Sequence, residues 1–399
     1  MQQKNVASAL AVAPLWLQPL RSLAVLSVTA YYHLAYRIRG WGGVLPRKRG
    51  PALLVINHQQ EIETAVIVAT LSVRSWSWRY PIFAVSSRRM FEPGFMAERI
   101  PWLNFALRRS KFGPLFGAIG MQPIENELHT RPFVGLASSL LERHGDLPLT
   151  DVFRDRALSR LPAGMKDLSD LLSSKYFKPA RSYVSLSELR EPYRSESLEM
   201  TRTQLDADSA TFVRLVSDGA TLFLAPEGRY SGDGKIQPFR GLLSRLAPMA
   251  RIWIAAISYD PFVGRRLSML YRLAPADTAT ALDAQVKAVR PVTTSALLAT
   301  WLRKEPRPFS ALKASDAIAQ QLRELPAALF VDPDLRRNPA RMVRAALAGM
   351  RRLGMLRTAG SSLTLTERRA HPQFPRTTDM IAYQANFHEE TLEGARTLY

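Results

Sequence analysis

Three short apolar runs along the chain lack the three- and four-residue spacing of a helix. They cover residues 52–56, 222–225 and 252–257, and each leads into a turn that contains polar residues or proline. Short continuous apolar runs bounded by turn residues are typical of buried strands. Segments with helical spacing lie between and beyond them, so we expect an α/β fold with a mixed central sheet flanked by helices.

The residues after the first run suggest a chemical role. Asn57 and His58 follow it directly, and Glu63 comes five positions after the histidine. Reacting groups of open α/β sheets gather at the carboxyl ends of the strands. A histidine there, with a carboxylate at the start of the next helix, would form a base with an orienting acid. Such a pair suits the transfer of a group to an external hydroxyl, whereas a hydrogen-bonded structural histidine is the alternative.

The second run leads into a glycine-rich, basic loop. Its turn consists of Pro226, Glu227 and Gly228. The basic residues that follow it are Arg229, Lys235 and Arg240. Their positive charge could meet a phosphate group, although a solvated basic loop would show the same pattern. The glycine spacing does not match a nucleotide-binding P-loop, which needs four residues between its glycines and Ser or Thr after the lysine.

Taken in order, the two blocks resemble the motifs of the glycerolipid acyltransferases, the family of lysophosphatidate and glycerol-3-phosphate acyltransferases. The family's first motif is Asn-His followed by four residues and Asp, and Asn57, His58 and Glu63 stand at these positions. Its Pro-Glu-Gly motif, with a later Asp-Gly and Phe-Lys-Gly, is matched by the residues at 226–228, 233–234 and 239–241. The resemblance covers roughly residues 50–126 and 205–265.

This resemblance implies an O-acyltransferase fold and activity. The acyl donor would be a fatty acyl thioester of coenzyme A or of acyl carrier protein, and the acceptor a lysolipid hydroxyl, with 1-acylglycerol-3-phosphate the first expectation. His58 would act as the general base and Glu63 as its partner. The residues implied to bind substrate are Asn57, Glu227, Gly228, Arg229, Lys235 and Arg240. Neither a bound cofactor nor a metal site is expected.

Three positions depart from the family pattern. Glu63 replaces an aspartate and is one methylene longer, and Arg229 with Tyr230 replaces Thr-Arg. Asn126 stands where the family's second motif ends in an arginine that contacts the acceptor phosphate. Because arginine is the natural bidentate partner of phosphate, a lipid acceptor without phosphate is an alternative. A non-catalytic basic protein that keeps the fold and binds a membrane surface is another.

The chain is strongly basic and contains no cysteine. Its 54 Lys and Arg residues against 34 Asp and Glu residues give a net charge of +20. This charge favours acidic partners, namely anionic lipid surfaces, acyl carrier protein, coenzyme A or nucleic acid. No motif that reads nucleic acid is present, so nucleic acid is the least expected of these. The absence of cysteine excludes disulfides, cysteine-based zinc sites and a cysteine acyl-enzyme.

Composition and pattern divide the chain into three expected parts. They are N-terminal membrane-associated helices in residues 1–45, an acyltransferase domain in residues 46–265 and a helical C-terminal extension in residues 266–399. Between Ala7 and Tyr36 only Arg21 is charged, and prolines interrupt the run. Two short helices lying in one leaflet are therefore expected, which predicts a peripheral or monotopic protein at the cytoplasmic face of a membrane. A cleaved signal peptide is the alternative.

Two further segments have more than one interpretation. Residues 127–205 interrupt the central domain with only short periodic pieces and would form either a lid or a peripheral addition. Residues 340–356 predict an amphipathic helix with arginines opposite its apolar residues. Such a helix could lie on an anionic membrane, but more often it packs on the core with its arginines in solvent.

Overall fold

The computed structural model describes residues 18–43, 50–60, 62–74, 82–91, 113–118, 120–124, 129–228, 231–277, 281–305 and 308–399. The strands within this part of the chain are β1 (Arg37–Gly42), β2 (Ala52–Val55), β3 (Ile82–Ser87), β4 (Met121–Ile124), β5 (Thr130–Pro132), β6 (Tyr183–Ser185), β7 (Thr221–Leu224), β8 (Arg251–Asp260), β9 (Ser268–Pro275), β10 (Leu356–Ala359) and β11 (Ser362–Leu365). The helices are α1 (Gln18–Ala35), α2 (Glu63–Arg74), α3 (Gly113–Ala118), α4 (Phe133–His144), α5 (Leu149–Val152), α6 (Asp155–Leu158), α7 (Leu168–Leu172), α8 (Phe177–Ala180), α9 (Tyr193–Ser217), α10 (Gly241–Leu246), α11 (Leu282–Val289), α12 (Thr294–Lys304), α13 (Ala311–Glu324), α14 (Pro333–Arg337), α15 (Pro339–Arg352) and α16 (Met380–Leu398). Single 3-10 turns cover Arg88–Phe91, Ser174–Tyr176, Leu186–Glu188 and Ala247–Met249.

The main sheet contains seven of the described strands, in the order β1-β9-β8-β2-β7-β3-β4. β2 lies between β7 and β8 and runs parallel to both, β3 is parallel to β7, and β1 is parallel to β9. β8 and β9 are antiparallel. The fold is therefore α/β with a mixed, mostly parallel sheet flanked by helices, as the apolar runs predicted.

The three predicted strands β2, β7 and β8 form the centre of this sheet. Leu53 pairs with Leu222 on one side and with Ile252 on the other, and all three side chains are buried. A parallel strand that is covered on both faces needs apolar residues at successive positions, which explains continuous runs in place of alternation. Since the three strands are mutually parallel, the residues that follow them meet at one edge of the sheet.

Contacts divide the described residues into two compact units. One comprises residues 85–214 and is called the inserted unit below, and the other comprises residues 18–84 and 215–399 and is called the sheet unit. The sheet unit reaches the last residue because β9 belongs to the main sheet and because α16 packs on α11 and α12. The sheet thus continues beyond residue 265, where the acyltransferase domain was expected to end. Residues 266–399 are part of the same compact unit and are not a purely helical extension.

Helix α15 buries its apolar face and exposes its arginines. Val343, Leu347 and Met350 are buried, whereas Arg341, Arg344, Arg351 and Arg352 are exposed. A Cβ on Gly349 would lie 1.8 Å from the carbonyl oxygen of Phe262, so this helix rests directly on the turn after β8. The apolar face therefore packs on the core, as such a pattern more commonly does, and the arginines face solvent.

Most of the predicted insertion folds around a small core of its own in the inserted unit. Its buried residues include Phe133, Leu136, Leu140, Val152, Phe153, Leu168, Leu171, Leu186 and Leu189. β5 and β6 form an antiparallel pair in which Arg131 lies opposite Val184. The insertion is therefore a packed subdomain of short helices, and its role as a lid or as an addition stays a prediction.

The described residues begin with one helix, α1. Pro19 occupies its first turn, where a missing N–H is tolerated because it has no partner within the helix. The first of the two expected helices would fall in residues 1–17, outside the described residues. Among the described helices, none combines the length and apolar content needed to cross a bilayer.

Candidate active site

His58 and Glu63 form a hydrogen-bonded pair at the carboxyl end of β2. The strand ends at Val55, and Glu63 is the first residue of α2, so a short turn brings the two side chains together. The His58 Nδ1 atom lies 2.9 Å from Glu63 Oε2. The Glu63 side chain is fully buried, whereas 16% of the His58 side chain is exposed. The arrangement is that of an imidazole at a surface with a buried carboxylate behind it.

The Glu63 carboxylate also orders the turn itself. The backbone N–H of Gln59 donates to both oxygens, at 3.1 Å to Oε1 and 2.8 Å to Oε2. A carboxylate in the first turn of a helix is favoured by the helix dipole and by the donors that are unpaired there. Glu63 therefore holds the backbone of the turn and the ring of His58 at the same time.

Asn57 joins this turn to β8. Its Nδ2 atom donates to the carbonyl oxygen of Ile257 at 3.0 Å, and its Oδ1 atom accepts from the Ile257 N–H at 2.6 Å. The side chain is 1% exposed. Both of its polar groups thus bond the backbone of the neighbouring strand, and we reassign Asn57 from the substrate-binding set to the residues that hold the turn.

Glu227 connects the two motif loops. Its Oε1 atom accepts the backbone N–H of His58 and its Oε2 atom accepts that of Gln237, each at 2.8 Å. Burial raises the pKa of this carboxyl to about 7, although the two backbone hydrogen bonds act in the opposite direction. Since both oxygens are used inside the protein, we reassign Glu227 as well, from acceptor binding to loop support.

Gly228 and Arg240 lie against each other in the loop after β7. Gly228 has φ +68°, and a Cβ there would lie 2.4 Å from the Nε atom of Arg240. That Nε atom donates to the carbonyl oxygen of Glu227 at 3.2 Å, while the side chain of Arg240 is largely at the surface. Glycine is needed here both for its left-handed backbone and for the space that the guanidinium group occupies.

Of the remaining residues predicted to bind substrate, Lys235 is exposed on the same loop, and Arg229 lies outside the described residues. The structure thus brings together His58, Glu63 and Glu227 within one hydrogen-bonded network. It also brings Gln59, Tyr383 and Glu390 to these loops, none of which the motifs indicated. Asn126, the departure in the second motif, falls in a part of the chain that is not described.

The other described histidines lie elsewhere. His144 pairs with Glu196 at 2.7 Å in the inserted unit, and burial lowers the pKa of both His371 and His388 to about 4. Within the described part of the chain, no group of three or more His, Cys, Asp or Glu side chains could hold a metal ion.

Neither known protein families nor curated proteins show a relative of this chain by sequence. A scan of its sequence against protein-family models gives no match. A search of curated proteins also finds none. The likeness to glycerolipid acyltransferases therefore rests on the motif residues described above.

Proposed function

We propose that this protein is an O-acyltransferase that moves a fatty acyl group from an acyl thioester to a lipid hydroxyl. The observation that carries the proposal is the partly exposed His58 imidazole, held through Nδ1 by the buried carboxylate of Glu63. A carboxylate on one ring nitrogen favours the tautomer whose other nitrogen is basic. Nε2 is then the atom that takes a proton.

In the proposed reaction the acceptor hydroxyl oxygen attacks the thioester carbonyl carbon while His58 Nε2 removes the hydroxyl proton. The negative charge of Glu63 stabilises the imidazolium that forms, as a carboxylate does in the hydrolase triads. The tetrahedral intermediate then expels the thiolate, and the imidazolium returns its proton to the sulfur. The products are an ester and a free thiol, and no covalent enzyme intermediate is required.

The donor in this proposal is acyl-coenzyme A or an acylated carrier protein, both of which are acidic. A net charge of +20 attracts either of them. Lys235 and Arg240 are exposed on the loop that Glu227 joins to His58, and they are the described cations nearest in sequence to the motif. We propose that they meet a phosphate group of the donor or of the acceptor, with 1-acylglycerol-3-phosphate as the first acceptor to test.

The proposed site of action is the surface of a membrane that contains anionic lipid, on its cytoplasmic side. On α1, Leu23, Leu26, Tyr31 and Leu34 expose 48–75% of their surface. The exposed Arg266 donates to the carbonyl oxygen of Leu34 at 3.0 Å, so an arginine borders the end of this apolar stripe. An apolar helical face beside cationic side chains is the pattern of interfacial binding.

The test is release of thiol from acyl-coenzyme A and from acylated carrier protein, measured with a panel of lysolipids. The panel includes 1-acylglycerol-3-phosphate, an uncharged monoacylglycerol and an amino-lipid, which separates a phosphate acceptor from the alternative. Loss of a general base costs about 100- to 10,000-fold in rate, so His58→Gln is expected to lose at least about 100-fold. The rate of thiol release by the Glu63→Gln variant should also fall strongly.

His144→Gln is the matched control, because this histidine also pairs with a glutamate but lies in the inserted unit. It should keep the activity of the unmodified protein. Absence of thiol release with every donor and acceptor, together with salt-sensitive binding to anionic liposomes, would instead favour a non-catalytic surface protein. An active His58→Gln variant would overturn the proposed chemistry.

A further inference from the structure

Helix α16 contacts the turn that carries His58, although more than 300 residues separate them along the chain. The Tyr383 side chain is almost fully buried, and its hydroxyl donates to Oε1 of Gln59 at 3.2 Å. The other end of the same amide, Nε2, donates to the carbonyl oxygen of Ile257 at 2.8 Å. The amide of Gln59 is therefore fixed from two sides, by α16 and by β8.

Gln59 in turn reaches the proposed catalytic pair. Its backbone N–H donates to the carboxylate of Glu63, and that carboxylate bonds Nδ1 of His58. The contacts thus form a continuous chain, Tyr383 to Gln59 to Glu63 to His58. Every member except His58 is buried, so this chain has little solvent to replace a lost contact.

The same helix also holds the second motif loop. Glu390 Oε2 accepts the backbone N–H of Ile236 at 2.8 Å, and Asn386 Nδ2 donates to the carbonyl oxygen of Asp233 at 3.0 Å. The buried guanidinium group of Arg290 lies 3.3 Å from Glu390 Oε2 and neutralises its charge. The residue after Ile236 is Gln237, whose N–H donates to Glu227. Both loops of the site therefore rest on α16.

We infer that Tyr383 is a positioning residue of the proposed acyl-transfer site, acting through Gln59 and Glu63 on the orientation of the His58 imidazole. This inference rests on the proposed function. The hydroxyl of Tyr383 bonds Gln59 and not an atom placed in the reaction, so the proposed effect is on geometry. Misplacement of reacting groups by about 1 Å can cost about 100-fold in rate.

The hydroxyl of Tyr383 is suited to this role because it stays protonated. Burial raises its pKa well above the ordinary range of tyrosine, and the nearby charge of Glu63 raises it further. Without that hydroxyl, Oε1 of the buried Gln59 loses a donor, and the amide is free to turn away from Ile257. The Gln59 side chain, next to His58 in the turn, then loses one of its two hydrogen-bond partners.

The test compares Tyr383→Phe with Tyr399→Phe. Both substitutions remove one hydroxyl near or within α16, but Tyr399 is 83% exposed. We expect Tyr383→Phe to lower kcat about 10- to 100-fold with KM nearly unchanged, and Tyr399→Phe to leave both unchanged. Thermal unfolding of each variant shows whether it is folded at the assay temperature.

A double-mutant cycle shows whether Tyr383 acts through Gln59. In a Gln59→Ala background, Tyr383→Phe is expected to have little further effect on kcat, because its acceptor is already absent. Equal and additive losses would indicate a general structural effect and would overturn the inference. Unchanged kcat in the single Tyr383→Phe variant would overturn it as well.

A second readout does not depend on turnover. The ¹⁵N signals of histidine side chains report tautomer and titration, and the His58 signals are assigned by their loss in His58→Gln. Tyr383→Phe is expected to change the His58 signals and their pH dependence, and Tyr399→Phe is not. If the unmodified protein releases no thiol but its His58 signals respond to Tyr383→Phe, the proposed function fails and the positioning contact stands. Unchanged His58 signals in Tyr383→Phe overturn the contact in either case.

Discussion

Gly234 lies where the loop after β7 meets the backbone of α16. Its φ is +84°, and a Cβ at this position would lie 2.2 Å from the carbonyl oxygen of Tyr383. A side-chain rotation could not relieve this close approach, because the obstacle is a main-chain atom. At the scale of a single residue, a missing side chain therefore decides how close the loop comes to the helix that supports it.

We predict that Gly234→Ala lowers both stability and activity. Gly360→Ala is the control, since Gly360 also has a positive φ, of +61°, but open space around its Cβ. The left-handed backbone alone costs about 1–2 kcal/mol for a residue with a Cβ. Denaturant unfolding should show a loss of about that size for Gly360→Ala and a larger one for Gly234→Ala. Only Gly234→Ala should reduce thiol release, and equal effects of the two variants would contradict the close contact.

The pairing of His58 with Glu63 could be predicted from sequence because both residues lie in one strand-turn-helix segment. The hydrogen-bond partners of the Asn57 and Glu227 side chains could not be predicted, because a motif gives the identity of a residue and not the group that its side chain contacts. Both were expected to meet substrate, and both bond backbone groups inside the protein. Tyr383 carries no local signal at all, since its contact with Gln59 depends on how the whole unit folds.

At the scale of secondary-structure elements, α16 buries several polar side chains along its length. They are Gln384, His388, Glu390 and Thr391. Glu390 has charged partners, whereas the Nδ1 atom of His388 has no hydrogen-bond partner. Burial lowers the pKa of His388 to about 4, so this histidine is neutral in the folded protein at neutral pH.

This burial predicts that the protein loses stability in mild acid. Above the unfolded-state pKa of about 6.5, His388 is neutral in both states and has no effect. Below it the unfolded state binds a proton that the folded state does not, so stability falls by about 1.4 kcal/mol per pH unit until the folded pKa of about 4. In denaturant unfolding, His388→Leu should reduce the loss of stability between pH 7 and pH 5, and the remaining slope includes that of His371, whose pKa is lowered in the same way. His129→Leu, at an exposed position, should leave the slope unchanged.

Elements differed in how far sequence could predict them. β2, β7 and β8 are mostly buried and contain continuous apolar stretches, so their runs are visible. β1 escaped prediction because it alternates arginine with other residues, and Arg39 is held there by Asp332 and Asp334. The short helices of the inserted unit could not be predicted for another reason, because four or five residues are too few to show a helical period.

At the scale of the whole molecule, excess positive charge and exposed apolar residues occur together in the sheet unit. The arginines of α14 and α15 are exposed, while Leu34 at the end of α1 exposes 75% of its surface and lies beside Arg266. Isolated apolar residues on a surface are ordinary, but an apolar stripe on one helix next to cations is not. This combination is what the proposed membrane contact depends on.

We predict that Leu34→Asp weakens binding to liposomes that contain anionic lipid. A single apolar side chain contributes about 1.5–3 kcal/mol when it leaves water, and a new negative charge adds repulsion, so binding should fall at least about 10-fold. Leu312→Asp is the control, because Leu312 is 71% exposed on α13. The amount of unmodified protein that co-sediments with these liposomes should also decrease as the salt concentration rises. Equal binding by both variants would show that α1 does not contact the bilayer.

The support that α16 gives to the residues after β2 has a consequence for how the protein is made. Translation produces residues 57–63 more than 300 codons before residues 380–398. A nascent chain can form local helices as it emerges, but Gln59 and the loop at Asp233 lack their contacts with Tyr383 and Asn386 until α16 has left the ribosome. The hydrogen bonds that join the His58 turn and the loop at Asp233 to α16 therefore form only after residues 380–398 have been made.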